Sequence, residues 1–431
     1  MNLNRRDLLA GLGGLAASAS GAAVRAEVPQ AAPAPKIPPV PGTAAAAGFP
    51  RKADFMIEEG YTYINAAYTH PIPKVALDAV RQAAERRASL RGGGRRESEG
   101  RKLDPKASFA ELIGAKAAEI AYVPSTSFGE NLVVQALGLH KNFDGNVVSD
   151  GLHFEGALLH LLELKKRGLD VRIVKPTAEF RIDMKDLEKV VDRHTRLIEV
   201  SSVAMYNGFQ HDLKAVADLA HAHGAYVYAD IIHSAGAGPF DIRASGVDFA
   251  ACSSFKWLMG DFGMGFLYAR EEVLDKLERP VIGYYEADNL EAFYPPNLPA
   301  AEYQPVAYQF DRGTHSLFEP GTLGGGTNVA LIDASLNYIK SLGLANIQAH
   351  RAPLLRKLQQ EVPRFGFTPV TPAESTGGNV TFAKQGVYQT DLPKRLEAMK
   401  INIRFSRHWI RLSPSVYNDM SDVDRFLAAL G

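Results

Sequence analysis

The 431-residue chain has one cysteine, Cys252, and two tryptophans. A single cysteine excludes an intrachain disulfide and any cysteine-rich metal site. Charge of either sign is not in excess, with 48 Lys and Arg against 48 Asp and Glu. Bulk electrostatics therefore offer nucleic acid nothing. Past the N-terminus no run is long and apolar enough to span a membrane, and no short-period repeat is visible. With 46% hydrophobic residues, the chain can build a sizeable core, and its length suits one large domain plus a smaller one.

The first residues read as an address rather than as structure. Asn4-Arg5-Arg6-Asp7-Leu8-Leu9 sets a twin-arginine pair before a weakly apolar Gly/Ala segment, and Val24-Arg25-Ala26 offers small residues for cleavage. Residues 1–26 are expected to be a Tat-type signal removed near Ala26, with delivery to the periplasm by the Tat export machinery and no membrane anchor. Residues 27–50, rich in Ala and Pro and nearly free of charge, read as an extended linker. A large domain is expected over 51–340 and a small one over 341–431, with the N-terminal segment a candidate to join the latter.

Short apolar strands then alternate with helices. Strands are expected at 120–123, 146–150, 171–174, 197–203, 225–230 and 247–253, and helices at Met184–Asp192 and Leu213–His223. This alternation predicts an α/β fold, a mostly parallel sheet with helices on both faces. From about Ala345 a small α+β domain is expected in the order helix-strand-helix-strand-helix. Two strand ends carry chemistry. Ala225-Tyr226-Val227-Tyr228-Ala229-Asp230 ends in a carboxylate, and Val247 to Ser253 leads into Lys256. Ligands of open α/β sheets sit at carboxyl strand ends. A lysine among apolar groups loses solvation, so its neutral amine becomes accessible and can form a Schiff base with a carbonyl. The pair suits pyridoxal 5'-phosphate: the lysine holds the aldehyde and the acid keeps the pyridine nitrogen protonated.

Asp230-Ile231-Ile232-His233-Ser234-Ala235-Gly236 and Ser253-Ser254-Phe255-Lys256-Trp257-Leu258-Met259-Gly260 resemble the class V aminotransferase superfamily of fold type I pyridoxal-phosphate enzymes. That group includes cysteine desulfurases, selenocysteine lyases, kynureninases and isopenicillin N epimerases. The histidine three residues after the aspartate, with Lys-Trp-Leu, leans towards the isopenicillin N epimerase-like branch, and the resemblance runs from about Tyr61 to the C-terminus. Members of that branch with Tat signals include tailoring enzymes of secreted peptides such as siderophores, among them pyoverdine.

The resemblance implies a site. Lys256, Asp230 and His153 would be catalytic. Thr126 and Ser127, at a helix start after Ile120–Val123, would bind the phosphate through backbone N–H groups and hydroxyls; Ser253 and His233 would also line the cofactor. His153 would stack on the pyridine ring, with Phe154 as the fallback. Asn65 and Arg411 would contact substrate, the guanidinium fork of Arg411 matching an α-carboxylate; His70 is a further candidate contact or merely a turn residue. Gly321 and Thr322 would reach a partner's phosphate, implying a homodimer with shared active sites. Relatives carry a polar amide after the strand ending near Val203, where this chain has Ala204 and Met205; Asn207 or His233 could replace it. The basic Gly-rich stretch Arg91–Lys102 reads as a solvated loop. No metal is implied.

The expected activity is an α-carbon reaction on a free or peptide-borne amino acid: epimerisation, transamination or peptide tailoring. Alternatives are a lyase of the desulfurase or selenocysteine-lyase type without a persulfide cysteine, since Cys252 sits on a strand, or a catalytically silent binder.

Overall fold

The computed structural model describes residues 48–89, 97–98, 101–283, 287–291, 307–310, 313–319 and 321–431. The expected export signal and nearly all of the expected linker lie outside them, as does most of the basic loop, of which only a backbone pairing of Glu97–Ser98 with Arg101–Lys102 is described. No helix among the described residues is long and apolar enough to cross a membrane.

The chain enters through β1 (Thr62–Tyr63), α1 (Lys74–Ala88) and α2 (Pro105–Ile113). There follow β2 (Ile120–Val123), α3 (Thr126–Ala136), β3 (Asn146–Asp150), α4 (Glu155–Lys166), β4 (Asp170–Val174), β5 (Thr195–Ser201), α5 (Leu213–Ala222), β6 (Tyr226–Asp230), β7 (Phe249–Ser253) and β8 (Gly265–Ala269). The helix expected over Met184–Asp192 is shorter and ends at Glu188.

Seven strands form one sheet in the order β2-β8-β7-β6-β5-β3-β4. Pairs from β7 through β4 are parallel, while β8 runs antiparallel to β7 and β2. The parallel strands are apolar on both faces because helices cover both, as such sheets require. Ile198 and Val200 face one core with α5 and α6 (Gly326–Leu342); Leu197 faces another with α3 and α4. Gly129 lets α3 lie close on β7, since a Cβ there would stand 2.9 Å from the Cβ of Ala251. The carboxyl ends of β2, β3, β5, β6 and β7 therefore share one edge.

After α6 come α7 (Leu344–Glu361), β9 (Thr368–Pro369), β10 (Val380–Ala383), α8 (Leu392–Ala398), β11 (Ile401–Asn402), β12 (Arg404–Phe405), β13 (Trp409–Leu412) and α9 (Met420–Leu430). This corrects the expected helix-strand-helix-strand-helix order. The short strands β9 and β12 lack a periodic run, and they flank β10 and β13 in an antiparallel sheet ordered β9-β10-β13-β12. The N-terminal segment does pair with this part: β1 runs parallel to β11, and Asn65 bridges to Ser413. The division expected at 340/341 lies within the last turn of α6, which ends at Leu342.

Candidate active site

Lys256 leaves the end of β7 in a tight turn and is 8% exposed. Burial lowers its pKa to about 8; Asp230 opposes that shift and Arg411 adds to it. The amine therefore loses its proton far more easily than an ordinary lysine. Its Nζ lies 3.2 Å from Nε2 of His233. The other ring nitrogen, Nδ1, accepts a long 3.5 Å bond from the Trp257 indole N–H. In that tautomer Nε2 carries the proton and donates to Nζ once the amine is neutral. Burial also holds His233 neutral, with Lys256 and Arg411 pushing the same way. Gly236 makes the approach possible. Its φ is +83°, and a Cβ there would stand 2.4 Å from the Trp257 carbonyl oxygen.

Asp230 ends β6, buried beside β7. Burial raises its pKa, while the Ile232 N–H (2.9 Å), His153 and Lys256 favour the ionised form. At adjacent strand ends the acid and the amine each favour the other's charged form against the burial that opposes it.

Arg411 projects from β13 and is 2% exposed. Nη1 donates to the Met205 carbonyl at 2.9 Å, whereas Nε is buried with no partner. Burial, then Arg404, lowers its pKa to about 10. No carboxylate among the described residues pairs with it, so the guanidinium is a donor fork waiting for an anion. Asn65 lies on the neighbouring bridge, its Nδ2 bound to Asn402 Oδ1 at 3.0 Å and its own Oδ1 buried without a partner.

At the end of β2, Ser125 caps α3 by accepting the Phe128 N–H. Thr126 and Ser253 lock the two strand ends together: Thr126 N–H donates to Ser253 Oγ (2.8 Å) and Ser253 N–H to Thr126 Oγ1 (2.9 Å). Both hydroxyls are thus engaged in fixing the helix start. Ser127, half-buried in the first turn, stands at the positive end of α3, where an anion is favoured. Gly321, at φ +100°, precedes a short turn, Thr322–Gly324, that leads into α6. The Thr322 side chain lies outside the described residues.

Three expectations are corrected. His153 is fully buried, with Nδ1 on Ser201 Oγ (2.8 Å) and Nε2 on Glu130 Oε1 (3.0 Å). Its ring shows no open face and lies in the polar layer beside Asp230, which leaves the fallback, the half-buried Phe154, as the stacking candidate. Asn207 cannot replace the missing amide, since Nδ2 donates to Phe180 O and Oδ1 accepts from Phe209 N within its own turn. His233 remains. His70 is structural: its nitrogens bind Pro71 O and Ser415 Oγ, and burial lowers its pKa to about 4. Glu130, Ser201 and Trp257 were not anticipated. Trp257 was legible only as part of the Lys-Trp-Leu motif, and nothing local marks Glu130 or Ser201, because their partners lie on other elements.

Cys252 is 1% exposed on β7, and burial raises its thiol pKa well above the usual range. Such a thiol is inert.

Residues 63–426 match the family model described as Aminotransferase class-V. The chain is 29% identical over 363 residues to a probable cysteine desulfurase of Methanothermobacter thermautotrophicus, covering 83% of this chain and 86% of that one. It is 25% identical over 406 residues to a probable cysteine desulfurase of Pseudomonas aeruginosa, covering 88% and 97%. In fold it is similar to the apo cysteine desulfurase of Thermococcus onnurineus, with a TM-score of 0.75 at 23% identity over 89% of this chain and 98% of that one. It is also similar to a C-DES variant with glycine covalently linked to its PLP cofactor, with a TM-score of 0.73 at 19% identity over 88% and 99%.

Proposed function

Because the chain belongs to the class V aminotransferase family, we propose that it binds pyridoxal 5'-phosphate at Lys256 and acts at the α-carbon of a free or peptide-borne amino acid. Its main support is a buried lysine of lowered pKa, in one field with the buried Asp230 and with Arg411, a buried cation that has no carboxylate partner among the described residues.

The residues present fit the cofactor. Lys256 would hold its aldehyde, Asp230 its pyridine nitrogen, Phe154 its ring face, and His233 the ring edge left without the family amide. Ser127 and the first turn of α3 would hold the phosphate, with Thr126 and Ser253 bracing that turn. When bound, the cofactor supplies a carbonyl for covalent attachment and an electron-withdrawing ring that stabilises charge at the substrate α-carbon. Arg411 would bind the substrate carboxylate in two parallel hydrogen bonds, with Asn65 beside it. Lys256 would move protons at the substrate α-carbon, and a pKa lowered to about 8 suits it to both directions. His233, with Nε2 at 3.2 Å, would orient Nζ.

A second reading is a C–S lyase, favoured by relatives named as cysteine desulfurases. The inert Cys252 speaks against persulfide relay on this chain, although not against elimination of sulfur. One screen separates the readings. Purified protein is incubated with cysteine, cystine, other amino acids and short peptides, and products are followed by mass spectrometry. Sulfide and pyruvate would support the lyase, whereas deuterium uptake at the α-carbon, inversion or a keto product would support the α-carbon reaction. No change in any substrate, and no spectral response, would leave a silent binder.

We also place the enzyme in the periplasm, on the strength of Arg5-Arg6 ahead of a weakly apolar segment. Changing both to lysine should leave unprocessed precursor in the cytoplasm; wild-type periplasmic yield from that double variant counts against Tat export.

Shared sites are proposed from Gly321 and Thr322. Lys256→Ala chains mixed with chains disrupted at Thr322 should regain activity, because one site of the heterodimer then carries both defects and the other neither. A fully active monomer by light scattering overturns the shared site.

A further inference from the structure

On the sheet face covered by α3 and α4, beneath the polar edge that holds Asp230, three side chains from distant positions converge. They are Glu130 on α3, His160 on α4 and Glu199 on β5, each offering one donor atom, and these atoms all lie within 4.8 Å of one another. Glu130 is 1% exposed and Glu199 0%. Apart from the contact between Glu199 and Glu130 and a backbone contact of His160 with Ala157, nothing among the described residues satisfies the Glu199 carboxyl or the His160 ring. Glu130 meets Glu199 on one side and, through Oε1, Nε2 of His153 on the other, itself fixed by Ser201.

Two carboxyl groups this close cannot both stay ionised out of water without a counter-charge. A proton shared between Glu130 and Glu199 answers that need without engaging His160, whereas one cation engages a donor atom of all three. We propose that Glu130, His160 and Glu199 hold a divalent first-row transition-metal cation. One imidazole nitrogen and two carboxylate oxygens match that class, whereas calcium takes six to eight oxygens and soft ions take thiolates. Bonds of about 2.0–2.2 Å to each donor need the donor atoms drawn closer together than the 4.8 Å within which they lie. His153 would be the outer partner that orients a ligating carboxylate. The ion would pin α3, whose first turn carries Thr126 and Ser127, to α4 and to β5. It is structural and independent of the reaction catalysed.

The test uses purified protein without an affinity tag, dialysed against a chelator, then incubated with Zn2+ or Mn2+ and desalted. Elemental analysis should find about one equivalent per chain, and the melting temperature should rise by several degrees, as for any ligand bound only by the folded state. Glu199→Gln and His160→Gln should each cut retained metal at least tenfold, whereas His194→Gln, at an exposed histidine, should not. Should Glu199→Gln fail to fold, His160→Gln, at a half-buried position, still decides. No retained metal in the wild type, or equal retention in the His160 variant, overturns the site; in the first case a buried water or shared proton fills it, in the second the metal sits on the surface.

Discussion

Lys256→Ala is expected to fold normally and to lose turnover by about 10^4-fold or more, since proton transfer and covalent attachment are lost together. Folding should not suffer. With its pKa lowered to about 8 in the fold against an unfolded value of about 10.4, the lysine disfavours folding below that range, where the unfolded chain holds the proton more tightly. Removing it at neutral pH relieves that cost. His233, the nearest base at 3.2 Å, cannot stand in, because it is a neutral imidazole with no amine to offer a carbonyl. Thermal melting, the visible absorbance of protein-linked cofactor and steady-state rates check the result. Turnover near wild type without added amine would falsify the assignment of Lys256.

Asp230→Ala should retain cofactor attachment at Lys256 yet lower turnover on the order of 10^2–10^3-fold or more, the scale on which a preorganised electrostatic partner acts. Alanine also removes the acceptor of the Ile232 N–H at 2.9 Å, which alone costs about 1 kcal/mol of stability. Asp230→Asn separates the two effects. It keeps an oxygen for Ile232 and removes the charge, so it should melt close to wild type and still be slow. An asparagine variant with near-normal rates would mean that the acid is structural and that another group controls the ring nitrogen.

Local patterning carried a large part of this fold. The strands ending at Asp230 and Ser253 are short apolar runs, as strands buried under helices on both faces must be; the first ends on its carboxylate and the second leads into Lys256, as read. The helix start at Thr126 was equally legible, because a hydroxyl cap directly precedes an apolar helical run. The small domain was less so. Two-residue strands such as β9 and β12 are too short to show a period; they exist only because β10 and β13 offer them edges.

Site residues divide along the same line. Lys256, Asp230 and Arg411 each sit in a window whose own composition is odd, a charge among apolar neighbours, and oddness of that kind is visible in one dimension. Packing decided the rest. His153 looked like a ring-stacking residue by position, but its side chain turns under the sheet edge to Glu130 and Ser201. Asn207 looked like a free amide, but it closes its own turn. Glu130, His160 and Glu199 meet although 69 positions separate the first from the last, and no window of sequence contains them. The sequence by itself determined the strand-and-helix alternation, the charged strand ends and the family. Only the tertiary structure decided which polar groups find partners and which stay orphaned, because hydrogen bonding between distant elements depends on how they pack and not on the residues beside each one.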